Sequence, residues 1–143
     1  MNIPYFETSR YRVETIVEIS GIKKGEKVAD LGSGDGRIAI AFAKVGAVAV
    51  GFELDEIYIK KSQEYIKKEK LTDKISIYKQ DFWDADLSEY DVVAVYPMPD
   101  IMEVLQEKLK KELRIGARVL TNYYMFPNWH YEKSKNNIYL YIK

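Results

Sequence analysis

Between Val28 and Gly36 an apolar run closes on an acid, glycine recurs at every second position, and a helical pattern begins at Arg37. The stretch reads Val28-Ala29-Asp30-Leu31-Gly32-Ser33-Gly34-Asp35-Gly36, a buried strand, a tight turn and a helix start. The rest of the chain is organised around this stretch.

The neighbours follow in order. Lys27 to Leu31, Ala47 to Glu53, Ile75 to Lys79, Asp91 to Tyr96 and Ala117 to about Tyr123 read as strands. Pro97 and Pro99 halt the fourth of them. A leading amphipathic helix occupies residues 9–20, with Ser9 as its N-cap and Gly21 as its stop. Gly46 ends the helix that starts at Arg37. Residues 55–70 form the next, with Tyr58, Ile59, Ser62, Tyr65 and Ile66 expected inward, and Ile101, Leu105, Leu109 and Leu113 mark another. Trp129 to Lys143 reads as a hairpin, with Lys135-Asn136-Asn137 as its turn and Ile138 to Ile142 as its stronger arm. Strands alternating with helices predict a doubly wound, mostly parallel α/β sheet, to which the hairpin adds an antiparallel edge.

At 143 residues the chain is expected to form one domain over residues 1–143. The longest apolar run, Ile38 to Ala43, is too short to cross a bilayer, so no membrane association is expected. Met1-Asn2-Ile3-Pro4 lacks the features of a secretory signal. With no cysteine, this makes the cytoplasm the expected location and excludes disulfides, thiolate metal sites and cysteine nucleophiles. Basic and acidic residues balance at 22 each, so no overall field draws the molecule to nucleic acid. No metal is expected.

In an open α/β sheet, ligands settle beyond the carboxyl ends of the strands at the switch point, where the glycine loop belongs. A dinucleotide is the first rival, but its fingerprint is G-x-G-x-x-G, whereas Gly32, Gly34 and Gly36 give G-x-G-x-G. Asp30 at the strand end would repel a pyrophosphate and suit a cationic ligand, such as the sulfonium and ammonium groups of S-adenosylmethionine (SAM). No phosphate-cradling G-x-x-x-x-G-K-[ST] is present. Glu53, at the end of the second strand, can accept hydrogen bonds from ribose hydroxyls. Asp81, after the third, can accept from the adenine amino group with Phe82 beside the ring. Singly, each acid reads as readily as a cap or turn residue; together, at three successive strand ends, they point to SAM.

Through Asp30 to Gly36, Glu53 and Asp81 the chain resembles the class I, seven-strand, SAM-dependent methyltransferases, with their Rossmann-like sheet. Within them it is similar to the small protein-lysine methyltransferases, a group that includes the archaeal broad-specificity enzyme and the mitochondrial one acting on the ATP synthase c subunit. Pro4-Tyr5-Phe6-Glu7-Thr8, Asp30 to Ile38, Lys79-Gln80-Asp81-Phe82-Trp83 and Lys111 to Val119 carry that likeness. It implies that Asp30, Gly32 and Gly34 surround the methionine portion of SAM, that Glu53 binds ribose and that Asp81 and Phe82 flank adenine. Tyr5 and Thr8 would close over the amino acid end. Two departures stand out. The mitochondrial relative's N-terminal hydrophobic segment is missing here. Tyr96-Pro97-Met98-Pro99 also replaces the [DNS]-Pro-Pro-[Tyr/Phe] of many methylases acting on amino groups of nucleic acids and glutamine.

A lysine amine has an ordinary pKa of about 10.4 and must lose a proton before it attacks a methyl group. Burial among aromatic groups favours the neutral form. Tyr96 after the fourth strand, and Tyr123, Tyr124, Phe126 and Trp129 after the fifth, stand where such a channel would lie; Tyr96, Tyr124, Phe126 and Trp129 are the candidate acceptor-site residues. His130, the only histidine, reads as a base or as a surface residue of the hairpin. The expected activity is SAM-dependent methylation of protein lysine side chains by a monomer. The alternatives are a small-molecule or RNA acceptor, and a non-catalytic SAM-binding protein.

Overall fold

The computed structural model describes residues 8–143. Helix α1 spans Arg10–Ser20, with the Ser9 hydroxyl accepting the Arg12 N–H at its start and Gly21, at φ 64°, ending it. Strand β1 (Lys27–Leu31), helix α2 (Arg37–Lys44), strand β2 (Val48–Glu53), helix α3 (Glu56–Lys68) and strand β3 (Ile75–Lys79) follow. A single 3₁₀ turn, Phe82–Asp84, leads to β4 (Val92–Val95); another, Pro99–Ile101, leads to α4 (Met102–Glu112) and β5 (Arg118–Asn122). Strands β6 (Lys133–Lys135) and β7 (Ile138–Ile142) form the hairpin. Its turn residues Asn136 and Asn137 both take positive φ, 53° and 60°, the backbone a two-residue hairpin requires.

The seven strands make one sheet in the order β3-β2-β1-β4-β5-β7-β6. The first five are parallel, and β7 pairs antiparallel with both β5 and β6. This is the predicted doubly wound sheet with its antiparallel edge. The order reverses between β1 and β4, so the loops that leave these two strands part there and open a crevice.

The two faces are covered unequally. Helices α1, α2 and α3 lie on one, where Val13, Ile16, Ile38, Phe42 and Ile66 bury the outward residues of the strands, among them Val28, Val92, Leu120 and Ile75. The other face has one helix, α4, whose Met102, Leu105 and Leu109 pack over Leu31, Phe52, Val93, Val95 and Val119. Beside it, the irregular link between β3 and β4 supplies Phe82, Ala85, Leu87 and Tyr90 in place of a second helix. Lys108 of α4 satisfies that link: its Nζ donates to the carbonyls of Trp83 (3.1 Å) and Ala85 (2.8 Å) and pairs with Glu112 (2.7 Å). Glu112 in turn accepts the Leu87 N–H at 3.0 Å. Among the described residues no helix is long and apolar enough to cross a membrane.

One inward expectation fails. Tyr65 is 46% exposed, while Ser62 and Ile66 hold the buried line of α3 and Tyr58 and Ile59 are half-buried. Tyr65 sits about a quarter-turn round the helix from Ile66 and lines a groove shared with Val17, Ile40 and Val45.

Below α4 the chain after β5 builds an aromatic cluster. Phe126 stacks on Trp129 (5.4 Å between centroids) and meets Tyr141 of β7 edge-on (4.8 Å). The Phe126 N–H donates to the Tyr141 hydroxyl at 3.0 Å, a buried bond. Replacing Tyr141→Phe keeps the ring packing and leaves that N–H without an acceptor. The expected loss is about 1–3 kcal/mol of stability in urea denaturation.

Candidate functional site

The strands end in step: Leu31 lies opposite Phe52 and Val95, and Glu53 lies opposite Lys79. The glycine loop folds back over this edge. Gly32 N–H and Ser33 N–H both donate to the Phe52 carbonyl, at 2.9 and 3.0 Å, which binds the loop to β2. Gly32, Gly34 and Gly36 take φ of 77°, 55° and 85°, a region that side chains with a Cβ rarely adopt, so the alternation of glycine is a backbone requirement. A Cβ on Gly32 would point into open space, while one on Gly36 would lie 3.0 Å from Ser62 Cβ. The loop therefore leaves room on one side and packs tightly on α3 on the other.

Glu53 acts as a clasp. Its Oε1 accepts the Gly34 N–H at 2.8 Å, and its Oε2 accepts the N–H groups of Leu54 and Asp55, both at 2.9 Å. A carboxylate has about four acceptor positions, so one remains for a ribose hydroxyl while the clasp is closed. Gly51 on β2 was not singled out from the sequence. A Cβ there would meet Ser33 Oγ at 2.6 Å and Ile77 Cδ1 at 2.7 Å. Its sequence signal was a glycine inside a strand, which marks a close approach.

Asp30 is 3% exposed, and among the described residues its Oδ2 has no hydrogen-bond partner; neither has the buried Oγ of Ser33. Burial, reinforced by the negative charges of Glu53 and Asp35, pushes the Asp30 carboxyl up to about 7. A buried carboxylate oxygen without a partner costs free energy until a cation or a donor reaches it. The open cradle over Gly32 and this acid together fit a sulfonium-bearing ligand. Asp35 is committed elsewhere: Arg37 donates to it through Nε (3.0 Å) and Nη2 (2.5 Å) and through Nη1 to the Thr8 carbonyl (2.9 Å). Thr8 is thereby buried and fixed against the glycine loop. Tyr5 lies outside the described residues.

Asp81 caps the 3₁₀ turn, accepting the Trp83 N–H at 3.1 Å, and so sets the position of Phe82, which is 6% exposed and 4.8 Å from the Trp83 ring. The turn reading of Asp81 thus holds, and it is compatible with an adenine beside the same turn.

The acceptor candidates divide. Tyr96 and Tyr124 are half-buried at the ends of β4 and β5, and the Tyr96 ring lies 5.9 Å from that of Tyr123. Burial pushes the Tyr96 hydroxyl above its ordinary value, with Tyr123 and Tyr124 adding to the effect. Phe126 and Trp129 belong to the cluster around Tyr141 and support this rim from the core side. His130 is exposed. No group of described residues could hold a metal ion.

The charges at this edge were also missed. The loops that leave the carboxyl ends of β1 to β5, residues 32–36, 54–55, 80–91, 96–101 and 123–132, contain no lysine or arginine. They carry Asp35, Asp55, Asp81, Asp84, Asp86, Asp100 and Glu132, together with Glu89 and Asp91, which lie where the link between β3 and β4 has crossed to the start of β1. Lys23, Lys24, Lys70, Lys74 and Arg114 lie in the loops of the opposite edge. The opposite edge's loops also carry Glu26, Glu69 and Asp73, so the one-sided charge is that of the ligand edge, which overall neutrality conceals.

Residues 30–133 match the family described as the ANTKMT methyltransferase domain. The chain is 33% identical to a protein-lysine N-methyltransferase of Saccharolobus islandicus, over 99% of this chain and 94% of that protein. It is 35% identical to the ATP synthase c-subunit lysine N-methyltransferase of Homo sapiens over 89% of this chain, and the match spans about half (54%) of that longer relative. In structure it is similar to an RNA methyltransferase from Salinibacter ruber in complex with S-adenosyl-L-homocysteine, with a TM-score of 0.88 and 28% identity over 95% of this chain and 91% of that one.

Asp30→Asn is expected to lower SAM affinity at least tenfold, measured by calorimetry. The folded Asp30 holds its proton more tightly than the unfolded one, so wild-type stability falls as pH rises from about 4 to about 7. The stability of the ligand-free variant relative to wild type should therefore grow over that window and level off above it, in thermal melts at a series of pH values.

Proposed function

The chain belongs to the ANTKMT methyltransferase domain family, and from that premise we propose that it transfers a methyl group from SAM to lysine side chains of proteins. SAM is the methyl donor. Asp30, Gly32 and Gly34 would hold its methionine end, Glu53 its ribose, and Asp81 with Phe82 its adenine, with Thr8 closing the amino acid end.

The observation that carries the lysine reading is the charge of the ligand edge. A rim lined by acids and free of lysine and arginine in its loops draws in a protonated amine and repels a phosphate backbone. Basic side chains that reach this edge from helices and strands are engaged: Arg37 with Asp35, Arg10 with Glu14, Lys79 with Glu56, Lys135 with Glu18, and Arg12 with Asn122 and the Asn136 carbonyl. Once inside, the amine must become neutral. Tyr96 and Tyr124, with Tyr123 beside them, form a low-dielectric wall that favours the uncharged form. Attack on the methyl group is an in-line displacement, the nitrogen–carbon bond forming as the methyl–sulfur bond breaks, and the protein's main task is to hold the two reactants in line.

An RNA acceptor is the second reading, favoured by the Salinibacter ruber relative's name and structural closeness. The acidic rim and the pairing of the basic side chains count against it. Absence of cysteine supports a reducing, cytoplasmic setting, and a sheet whose ligand edge is built from strands of one chain supports a monomer.

Labelled SAM should be incubated with the enzyme and with denatured cell protein or total RNA in separate reactions, Asp30→Ala serving as control. Label on lysine, found by mass spectrometry and absent from the control, is expected. Label confined to RNA would refute the lysine acceptor.

A further inference from the structure

Arg12 stands on the first turn of α1, far in sequence from any strand end, yet its guanidinium closes on the end of β5. Nε donates to Asn122 Oδ1 at 3.0 Å, Nη2 donates to the same oxygen, and Nη1 donates to the Asn136 carbonyl at 2.6 Å. The guanidinium carbon lies 3.9 Å from the centroid of the Tyr123 ring. Asn122 is 2% exposed, and with its oxygen turned to Arg12 its Nδ2 has no partner, so the arrangement is held against a cost.

Tyr123 is strained as well. Its φ is +71°, a left-handed backbone that is an outlier for a bulky residue and persists only where the surroundings impose it. Its N–H donates to the Asn137 carbonyl at 2.8 Å, on the same hairpin turn that Arg12 grips. In an extended backbone the side chain after Asn122 would swing to the α4 face of the sheet. The left-handed residue instead leaves the ring under Arg12, 5.9 Å from Tyr96 and 46% exposed. Fastening α1 to the turn does not need this: Asn136 Nδ2 donates to Tyr11 Oη (2.9 Å) and Thr15 Oγ1 (3.3 Å), and Lys135 pairs with Glu18 (3.2 Å). Arg12 is the tie that also covers Tyr123.

We propose that Arg12 is a positioning residue for the acceptor: it fixes Tyr123 against Tyr96 as one wall of the acceptor mouth, an assignment that rests on the lysine reading above. The fork to Asn122 and Asn136 sets the guanidinium, the guanidinium sets the ring, and the ring narrows the entrance. A lysine in its place keeps the charge but has neither the fork nor the flat face.

Steady-state methylation of poly-L-lysine with labelled SAM tests this. Arg12→Ala is expected to raise the acceptor KM about tenfold while kcat and the SAM dissociation constant stay within about twofold. Arg12→Lys should not restore the KM. Tyr123→Gly, which relieves the positive φ, should raise KM to the same extent, and the double variant should be no worse than Tyr123→Gly alone. An unchanged acceptor KM, a loss confined to kcat or SAM binding, or strictly additive effects would overturn the assignment. If Arg12→Ala does not fold, Arg12→Lys decides, and a wild-type KM in it overturns the proposal. Wild-type enzyme that places no label on the polymer contradicts the lysine reading and this assignment with it; labelling with an insensitive KM contradicts this assignment alone.

Discussion

A carboxylate buried at the end of the central strand, with one oxygen unmatched by any donor, is the constraint around which this molecule is arranged. Asp30 is almost fully enclosed, and Glu53 and Asp35 lie near enough to raise its proton affinity further. A fold that served stability alone would place an apolar residue there or give the acid a partner. Instead Arg37, at the start of α2, is bound by Asp35 and by the Thr8 carbonyl, and Glu53 is occupied with the backbone of its own loop and of Gly34. Arg37, Asp35 and Glu53 are thus satisfied in ways that leave Asp30 unsatisfied. Such a position fits a cation that arrives with the ligand.

The same logic extends along the sheet edge. Parallel strands deliver all their carboxyl ends to one side, so whatever charge their loops carry is summed there. Here it is acidic, whereas the loops of the opposite edge mix Lys23, Lys24, Lys70, Lys74 and Arg114 with Glu26, Glu69 and Asp73. A donor with a positive sulfonium and a proposed acceptor with a positive ammonium meet one field of opposite sign. In the proposed site the tyrosine wall would separate attraction from reaction: charge brings the amine to the mouth, and loss of solvent inside favours its neutral form.

Much of this was legible in the sequence, because its signals are local. Strands β1 and β3 and helix α1 follow from apolar period and caps, and the glycine loop, Glu53 and Asp81 follow from their places at strand ends. Long-range pairing was not legible. Whether Phe126 and Trp129 face a ligand or the core is decided by Tyr141, which β5 meets only through the antiparallel register Val119 to Tyr141. Arg12 reaches Asn122 across most of the chain, and nothing in the spacing of α1 distinguishes it from a solvated helix residue. Tyr65 failed for a related reason, since the width of the buried stripe on α3 depends on how closely α1 and α2 approach. Glu53 was placed correctly, but its clasp on Gly34 depends on a loop conformation that composition does not encode.

If Asp30 is the site that receives the cation, donor binding must move its proton. Near pH 6.5 a carboxyl raised to about 7 is mostly protonated in the free protein, and a neighbouring positive charge drives it to ionise. Calorimetric titration of SAM at that pH, in buffers of different ionisation enthalpy, should show protons released on binding, with the release fading by pH 8. A binding enthalpy that is the same in every buffer would contradict the account.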